Sequence, residues 1–378
     1  MQESDVISGL DAQLVHALQI APRASWQTLA PVLGIDPVTA ARRWKGLRSA
    51  GLAWVTGYPG RRLIERLCTA FVEVDCRAGS VESVADTLVA LPQVATVEHM
   101  AGGRDLLITV FVPGLGELSE LLLRRIAALP GVTSTRASIG TRLYGEGSRW
   151  RLRALTTQQS ERLRLTSPPP RTGSSAGLDG PDRSLLPELS RNGRESAVEL
   201  GRAVGLSAPT VRRRVGRLVT DHDLALRCEV ARELTEWPVS ATLWAGIPAD
   251  RLPEAVRVLL TLPEVRLCAS VTGPQNLLFT VWLHSIQDVQ RLETQLGERL
   301  PQLRLRDRSI VLRQTKLMGR LLDGRGRAAG AVPVDPWAPV TPVTPVTPVT
   351  PVTPVTPATP VTPVTPVTPV TPATSPGR

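Results

Sequence analysis

The chain has 378 residues, enough for two or more domains that each bury a core. Its formal net charge of +10 comes almost wholly from arginine, since lysine occurs only at Lys45 and Lys316; a basic chain suits a polyanion, most commonly nucleic acid. No apolar run is long enough to span a bilayer, the N-terminus carries Glu3, Asp5 and Asp11 instead of a basic signal region, and the cysteines and histidines stand at no metal-ligand spacing, so the reading is a cytoplasmic protein with no cofactor or metal.

Three short helical patterns open the chain. Asp11 to Ile20 places Leu14, Val15 and Leu18 on one face, and Ser25 starts a second helix carrying Leu29, Val32 and Leu33. Gly34 suits the left-handed position that ends it, and Asp36-Pro37 reads as a cap followed by the first turn of a third helix that ends near Gly51. Strand and helix signals then alternate: Leu67–Val74 extended, Ser80–Leu91 helical, Val94–Met100 and Asp105–Val112 extended around a Gly102-Gly103 turn, Leu115–Leu129 helical, and Val132–Leu143 extended. This is the β-α-β-β-α-β order of a ferredoxin-like unit.

The same text then returns. A shift of 171 positions lays Leu29-Ala30 on Leu200-Gly201, Gly34-Ile35 on Gly205-Leu206, Arg42-Arg43 on Arg213-Arg214 and Leu91-Pro92 on Leu262-Pro263. A constant offset of this kind marks one unit duplicated and fused. The second copy predicts helices near Arg183–Ser190, Ala197–Val204 and Ala208–Val219, strands near Ala241–Gly246, Val265–Val271, Leu277–Leu283 and Leu303–Arg313, and intervening helices at Leu252–Leu262 and Ile286–Leu300. Between the copies, Pro168-Pro169-Pro170 and the glycines after them read as a flexible linker. From Pro339 a Pro-Val-Thr or Pro-Ala-Thr triplet repeats, which forbids helix and ladder and predicts an extended, disordered tail.

The expected fold is therefore α+β: a tandem duplicate of a winged-type helix-turn-helix followed by a βαββαβ ferredoxin-like, ACT-like domain, with a Pro-Thr-rich tail. The expected boundaries are 1–58 and 182–232 for the two readers, 59–155 and 233–330 for the two βαββαβ domains, 156–181 for the linker and 331–378 for the tail.

The third helix of each reader carries the chemistry. In the second copy Val211, Val215 and Leu218 form the apolar stripe, and at about 100° per residue Arg213 and Arg217 fall opposite it, with Arg212 on its flank. Arginines turned outward from such a helix can enter the major groove and pair with guanine or hold phosphate. Ser207 is the expected cap, with Thr210 in the first turn; the first copy offers Thr39, Arg42 and Lys45 in the same role.

A reader with Leu10-Asp11, Arg23, Ser25, Leu29-Ala30, Gly34-Ile35, Thr39, Arg43, Leu47 and Gly51-Leu52, followed by a βαββαβ pattern, resembles the Lrp/AsnC (feast/famine) transcriptional regulators. The second copy matches at Asn192-Gly193-Arg194, Leu200, Gly205-Leu206-Ser207, Thr210-Val211, Arg213-Arg214-Val215 and Leu218. The resemblance implies a regulator that binds double-stranded DNA and senses a small effector such as an amino acid. It places the effector near the turn between the second and third strands of each βαββαβ domain: Gly102, Gly103 and Asp105 in the first copy, Gly273 and Asn276 in the second. It also implies a dimer, which one chain could supply as an intramolecular pseudo-dimer or extend as a homo-oligomer, within the nucleoid and away from membranes. Two other readings differ in class. One is an enzyme like the siroheme decarboxylases of the same superfamily, loosely suggested by Asn276-Leu277-Leu278-Phe279; the other is a sensor or scaffold that no longer binds DNA. The sequence carries no nucleophile elbow, P-loop, dinucleotide fingerprint or paired-carboxylate motif, and a non-enzyme is expected.

Overall fold

The computed structural model describes residues 7, 9–147, 150–166 and 177–341. The chain begins with helices α1 (Gly9–Ile20), α2 (Trp26–Leu33) and α3 (Pro37–Ser49). Local chemistry sets their ends. The Ser25 hydroxyl accepts the Thr28 amide at the head of α2, and the Asp36 carboxylate accepts the Thr39 amide at the head of α3. Each occupies an N–H that the first helical turn leaves without a partner. Between the two helices Gly34 turns at φ 69°, a left-handed geometry that strains any residue with a Cβ. The wing strand β1 (Ala53–Pro59) and the short α4 (Arg61–Ile64) follow.

Strand β2 (Cys68–Cys76), helix α5 (Val81–Val89), strands β3 (Val94–Ala101) and β4 (Leu106–Val112), helix α6 (Leu115–Glu120) and strand β5 (Val132–Gly145) build the first sheet. Its spatial order is β3-β4-β2-β5, all antiparallel, as the βαββαβ pattern requires. The expected helix Leu115–Leu129 is not a single α-helix: after Glu120 it widens into a π turn over Leu121–Ile126. That wider turn lets Leu121 and Ile126, five residues apart, both enter the core.

The same elements recur at the 171-residue spacing. Helices α8 (Gly180–Arg191), α9 (Ala197–Val204) and α10 (Ala208–Thr220) and strand β6 (Leu224–Val230) have the lengths of α1, α2, α3 and β1. Strand β7 (Val239–Gly246), helix α11 (Leu252–Leu259), strands β8 (Val265–Val271) and β9 (Leu277–Leu283), helix α12 (Asp288–Arg299) and strand β10 (Arg304–Leu317) form the second sheet.

The two sheets close into one barrel. β5 pairs with β2 as far as Ile139 and then with β8 from Gly140. In the same way β10 pairs with β7 as far as Ile310 and with β3 from there on. Each 14-residue last strand thus spans both sheets and closes the ring β3-β4-β2-β5-β8-β9-β7-β10 on itself. Inside it, Phe71, Met100, Leu107, Trp244, Leu278 and Val311 pack between the sheets. Outside, α5 and the α6 region cover one sheet, and α11 and α12 the other.

Two expectations about the connecting segments change. Residues 156–181 are not wholly a flexible linker. Thr156 and Gln159 form a capping box for α7 (Thr157–Arg164), which docks on the first reader through fully buried Leu163 and a Gln159 Nε2 bond to the Val32 carbonyl of 2.8 Å. α8 also starts two residues before the expected boundary, at Gly180, where Asp179 caps it. Nor is the chain free from residue 331. β11 (Arg320–Leu322) and β12 (Ala328–Ala331) extend the β10 edge, Gln93 Nε2 donates to the Ala338 carbonyl, and Trp337 packs on the second reader. The linker residues 167–176 and the Pro-Thr repeats from residue 342 lie outside the described residues. Among those described, no helix is long and apolar enough to cross a membrane.

Candidate nucleic-acid interface

Helices α3 and α10 are the candidate reading heads. On α3, Arg42 and Lys45 are exposed and Thr39 is half-buried, while Ala40, Trp44 and Leu47 face the core. On α10, Arg212 and Arg213 are exposed and Thr210 is half-buried, above the core residues Val211, Val215 and Leu218. Ser207 stands at the cap, with its hydroxyl 2.9 Å from that of Thr210. Arg42 and Arg213 hold equivalent positions, so each helix presents one outward arginine at the same place.

Arg217 does not join this face. Its guanidinium is ion-paired with Asp182 of α8, whose side chain is 1% exposed, and Arg214 meets the other oxygen of that carboxylate at 2.9 Å. A buried carboxylate strongly favours a cation partner, and this outweighs the helical-wheel position that turned Arg217 toward solvent. The first reader has the same tie in simpler form, Arg43 to Asp11 at 3.0 Å. These pairs fix the third helix of each reader to its first. Gly201 serves a further close approach, since a Cβ there would collide with the Leu206 carbonyl oxygen.

The two readers grip each other. Arg23, in the α1–α2 turn, donates to the carbonyls of Gly193 (2.6 Å) and Glu195 (2.8 Å) in the α8–α9 turn. Arg194 returns the contact, donating to Pro22 (2.6 Å) and Ala24 (3.0 Å) and lying 4.3 Å over the Trp26 ring. Burial pulls the Arg194 pKa down to about 10, with Arg23 contributing repulsion. Below the turns, β1 and β6 pair antiparallel from Ala53↔Val230 to Pro59↔Leu224. Glu229 of β6 is held by Arg227 and by Arg266 of β8, which ties the wings to the barrel. The sequence named Arg23 and Arg194 only as family-like positions. Their shared role was signalled by one fact, that the 171-residue shift superposes them.

The expected effector residues are placed differently. The Asp105 carboxylate accepts the Cys76 amide at 2.7 Å. Asn276 uses both ends of its amide on Ile247, at 3.0 and 2.8 Å. Aspartate and asparagine therefore do equivalent work here, tying the start of one strand to the end of its neighbour. Gly102 and Gly273 turn at φ 138° and 115°, and Gly102 abuts Ser309 of β10. Between exposed Gly103 and half-buried Asp105, the Arg104 side chain folds inward: it pairs with Glu73 (2.9 Å) and Asp307, donates to Ser309 (2.9 Å) and lies 3.8 Å over Trp244. The chain's own guanidinium fills this turn.

Deeper in the barrel, burial raises the Glu98 pKa to about 7, although Gln314 donates to its carboxylate at 2.9 Å. Lys316, fully buried beside the Leu91 carbonyl (2.9 Å), is lowered to about 7 for the same reason.

Comparison with known proteins places these features. The Lrp/AsnC ligand binding domain matches residues 69–149, and the AsnC-type helix-turn-helix domain matches residues 178–219. The chain is 31% identical over 121 residues to an HTH-type transcriptional regulator of Mycobacterium tuberculosis, covering 80% of that protein and 32% of this one. It is 27% identical over 142 residues to the proline dehydrogenase transcriptional activator of Rhodobacter capsulatus, covering 91% of that protein and 36% of this one. Over nearly its whole length it shares the fold of the siroheme decarboxylase NirDL, crystallised with an iron-uroporphyrin III analogue: the TM-score is 0.54, at 15% identity, over 82% of this chain and 93% of that one.

Proposed function

This chain belongs to the Lrp/AsnC family, and we propose that it is a sequence-specific transcriptional regulator in which a single polypeptide supplies the two readers of a dimer. It arose by duplication and fusion of one helix-turn-helix–βαββαβ unit. Its domains are the two readers, the two βαββαβ domains that share the barrel, and the segments that follow β5 and β10.

The observation that carries this reading is the reciprocal clasp. Arg23 and Arg194 exchange equivalent bonds between two capped helix-turn-helix units. An isologous contact of that kind is what a two-fold dimer makes between subunits. Held this way, α3 and α10 present Arg42 and Arg213 as a fixed pair toward double-stranded DNA, helped by Thr39, Lys45, Thr210, Ser207 and Arg212. The two helices differ in sequence, so the favoured operator is an imperfect palindrome. The barrel domains couple the readers to a small effector, and the protein acts at the nucleoid without catalysing a reaction.

The test is binding of the full chain to the DNA upstream of its own gene across a salt series. Phosphate contacts make affinity fall steeply with salt, and Arg213→Ala should lose specificity while keeping most of that salt dependence. Salt-insensitive or absent binding by the wild-type chain would reject the regulator reading.

A second reading, tetrapyrrole decarboxylation, draws on the fold likeness to NirDL over 82% of this chain. Its test is direct: a visible absorption band on adding iron-uroporphyrin III, with release of carbon dioxide from siroheme.

A further inference from the structure

The two readers are not mirror copies where they meet the barrel. A cleft of about 580 Å³ opens between the α1–α2 turn of the first reader and the flank of α10 in the second. Its floor is apolar, built from Val215 and Val219 of α10 and Leu224 of β6. Four arginines line it: Arg61 and Arg212 are exposed at its rim and Arg23 and Arg151 are half-buried, against Glu146 as the one acid among the described lining residues.

On the other side of the pseudo-two-fold axis the equivalent space is filled. There the segment after β10 packs in: Ala328 donates to the Gly51 carbonyl at 2.9 Å, and Arg320 to the Arg191 carbonyl at 2.6 Å. Three tryptophans, Trp26, Trp44 and Trp54, occupy positions that the 171-residue shift equates with Ala197, Val215 and Ala225. All three smaller residues line the open cleft. Arg194 lies over Trp26, whereas its counterpart Arg23 has Ala197 in that place. Hollowing by three large-to-small differences, together with an arginine rim, is how a pocket for an anion with an apolar body is built.

We infer that this cleft is a ligand site for an amphipathic organic acid, with the acid group at the arginine rim and the apolar body on the floor beneath α10. The inference rests on the proposed function and adds to its sensing part a ligand site between the readers, apart from the matched ligand binding domain. A ligand there touches the recognition helix and the clasp together, so occupancy and DNA binding are coupled through groups it contacts directly.

The probe is 8-anilinonaphthalene-1-sulfonate, an aromatic acid whose fluorescence rises in apolar surroundings. Full-length protein should bind one equivalent saturably. Ala197→Trp and Ala225→Trp, which insert the residue already accommodated in the other half, should each weaken binding by more than tenfold with unchanged melting temperature. Arg61→Glu, on the exposed rim, should weaken it by about tenfold without perturbing the core. Unchanged affinity in all three variants would overturn the site. Displacement of the dye by inorganic phosphate at matched ionic strength would overturn the requirement for an apolar body. DNA binding measured on the same preparations without dye reports separately on the regulator reading, so the two can fail independently.

Discussion

Removing the Arg194 guanidinium should loosen the two readers from each other before it unfolds either one. Arg194 makes two charge-assisted bonds to carbonyl oxygens, at 2.6 and 3.0 Å, and such bonds are worth about 1.5–3 kcal/mol each. Against this stands the penalty for burying the charge. The fall in its pKa from the ordinary guanidinium range to about 10 corresponds to roughly 3 kcal/mol at about 1.36 kcal/mol per unit. Contact with the Trp26 face returns about 0.5–1 kcal/mol. The balance leaves Arg194→Ala destabilised by about 2 kcal/mol, measurable as a lower urea midpoint with little change in slope. The functional effect should be selective. Affinity for DNA carrying both half-sites should fall by about tenfold, because the two heads no longer hold a fixed spacing, while affinity for a single half-site stays as in wild type. Arg23→Ala should act alike. Wild-type stability and wild-type two-site affinity in both variants would refute the clasp.

Three further outcomes concern stability. Glu98 has its pKa raised on folding from 4.5 to about 7, so the folded state binds the extra proton between those values; stability should fall by about 3 kcal/mol as pH rises through that window, and Glu98→Gln should remove the fall. Lys316 is shifted the other way, from 10.5 to about 7, so the unfolded chain holds the proton that the folded chain loses. Stability should therefore rise by a few kcal/mol from pH 7 toward pH 10, and Lys316→Met should be more stable than wild type at pH 7, with the difference shrinking as pH rises in a thermal-melt series. Gly205→Ala puts a Cβ on a residue at φ 70° and should cost about 1 kcal/mol in a denaturation curve, with the reader still folded.

What the sequence disclosed was whatever depends on near neighbours. Gly34 and Gly205, the caps Ser25, Asp36 and Ser207, and the apolar stripe Val211-Val215-Leu218 act within a turn or two, so spacing alone located both readers. Arg217 was misplaced because its partner, Asp182, lies 35 residues away and only the packed fold brings them together. Asp105 and Asn276 looked available for a ligand because the backbone amides that engage them belong to a neighbouring strand. Barrel closure by β5 and β10 was hidden for the same reason: the second half of each strand pairs with the other copy. α7 sat in a stretch whose proline and glycine content read as linker, although the Thr156/Gln159 capping box was present in the letters. The open cleft could have been suspected from Trp26, Trp44 and Trp54 aligning with Ala197, Val215 and Ala225, but nothing in the sequence says that this difference leaves space.

The central claim is that one chain reads two half-sites with two different heads. Hydroxyl-radical footprinting of the operator with Arg42→Glu and Arg213→Glu tests it most directly. The account predicts that each variant erases protection over one half-site, a different one in each case, and leaves the other in place. If Arg213→Glu erased both half-sites and Arg42→Glu erased neither, two chains would be using the same reader, and the claim would be wrong.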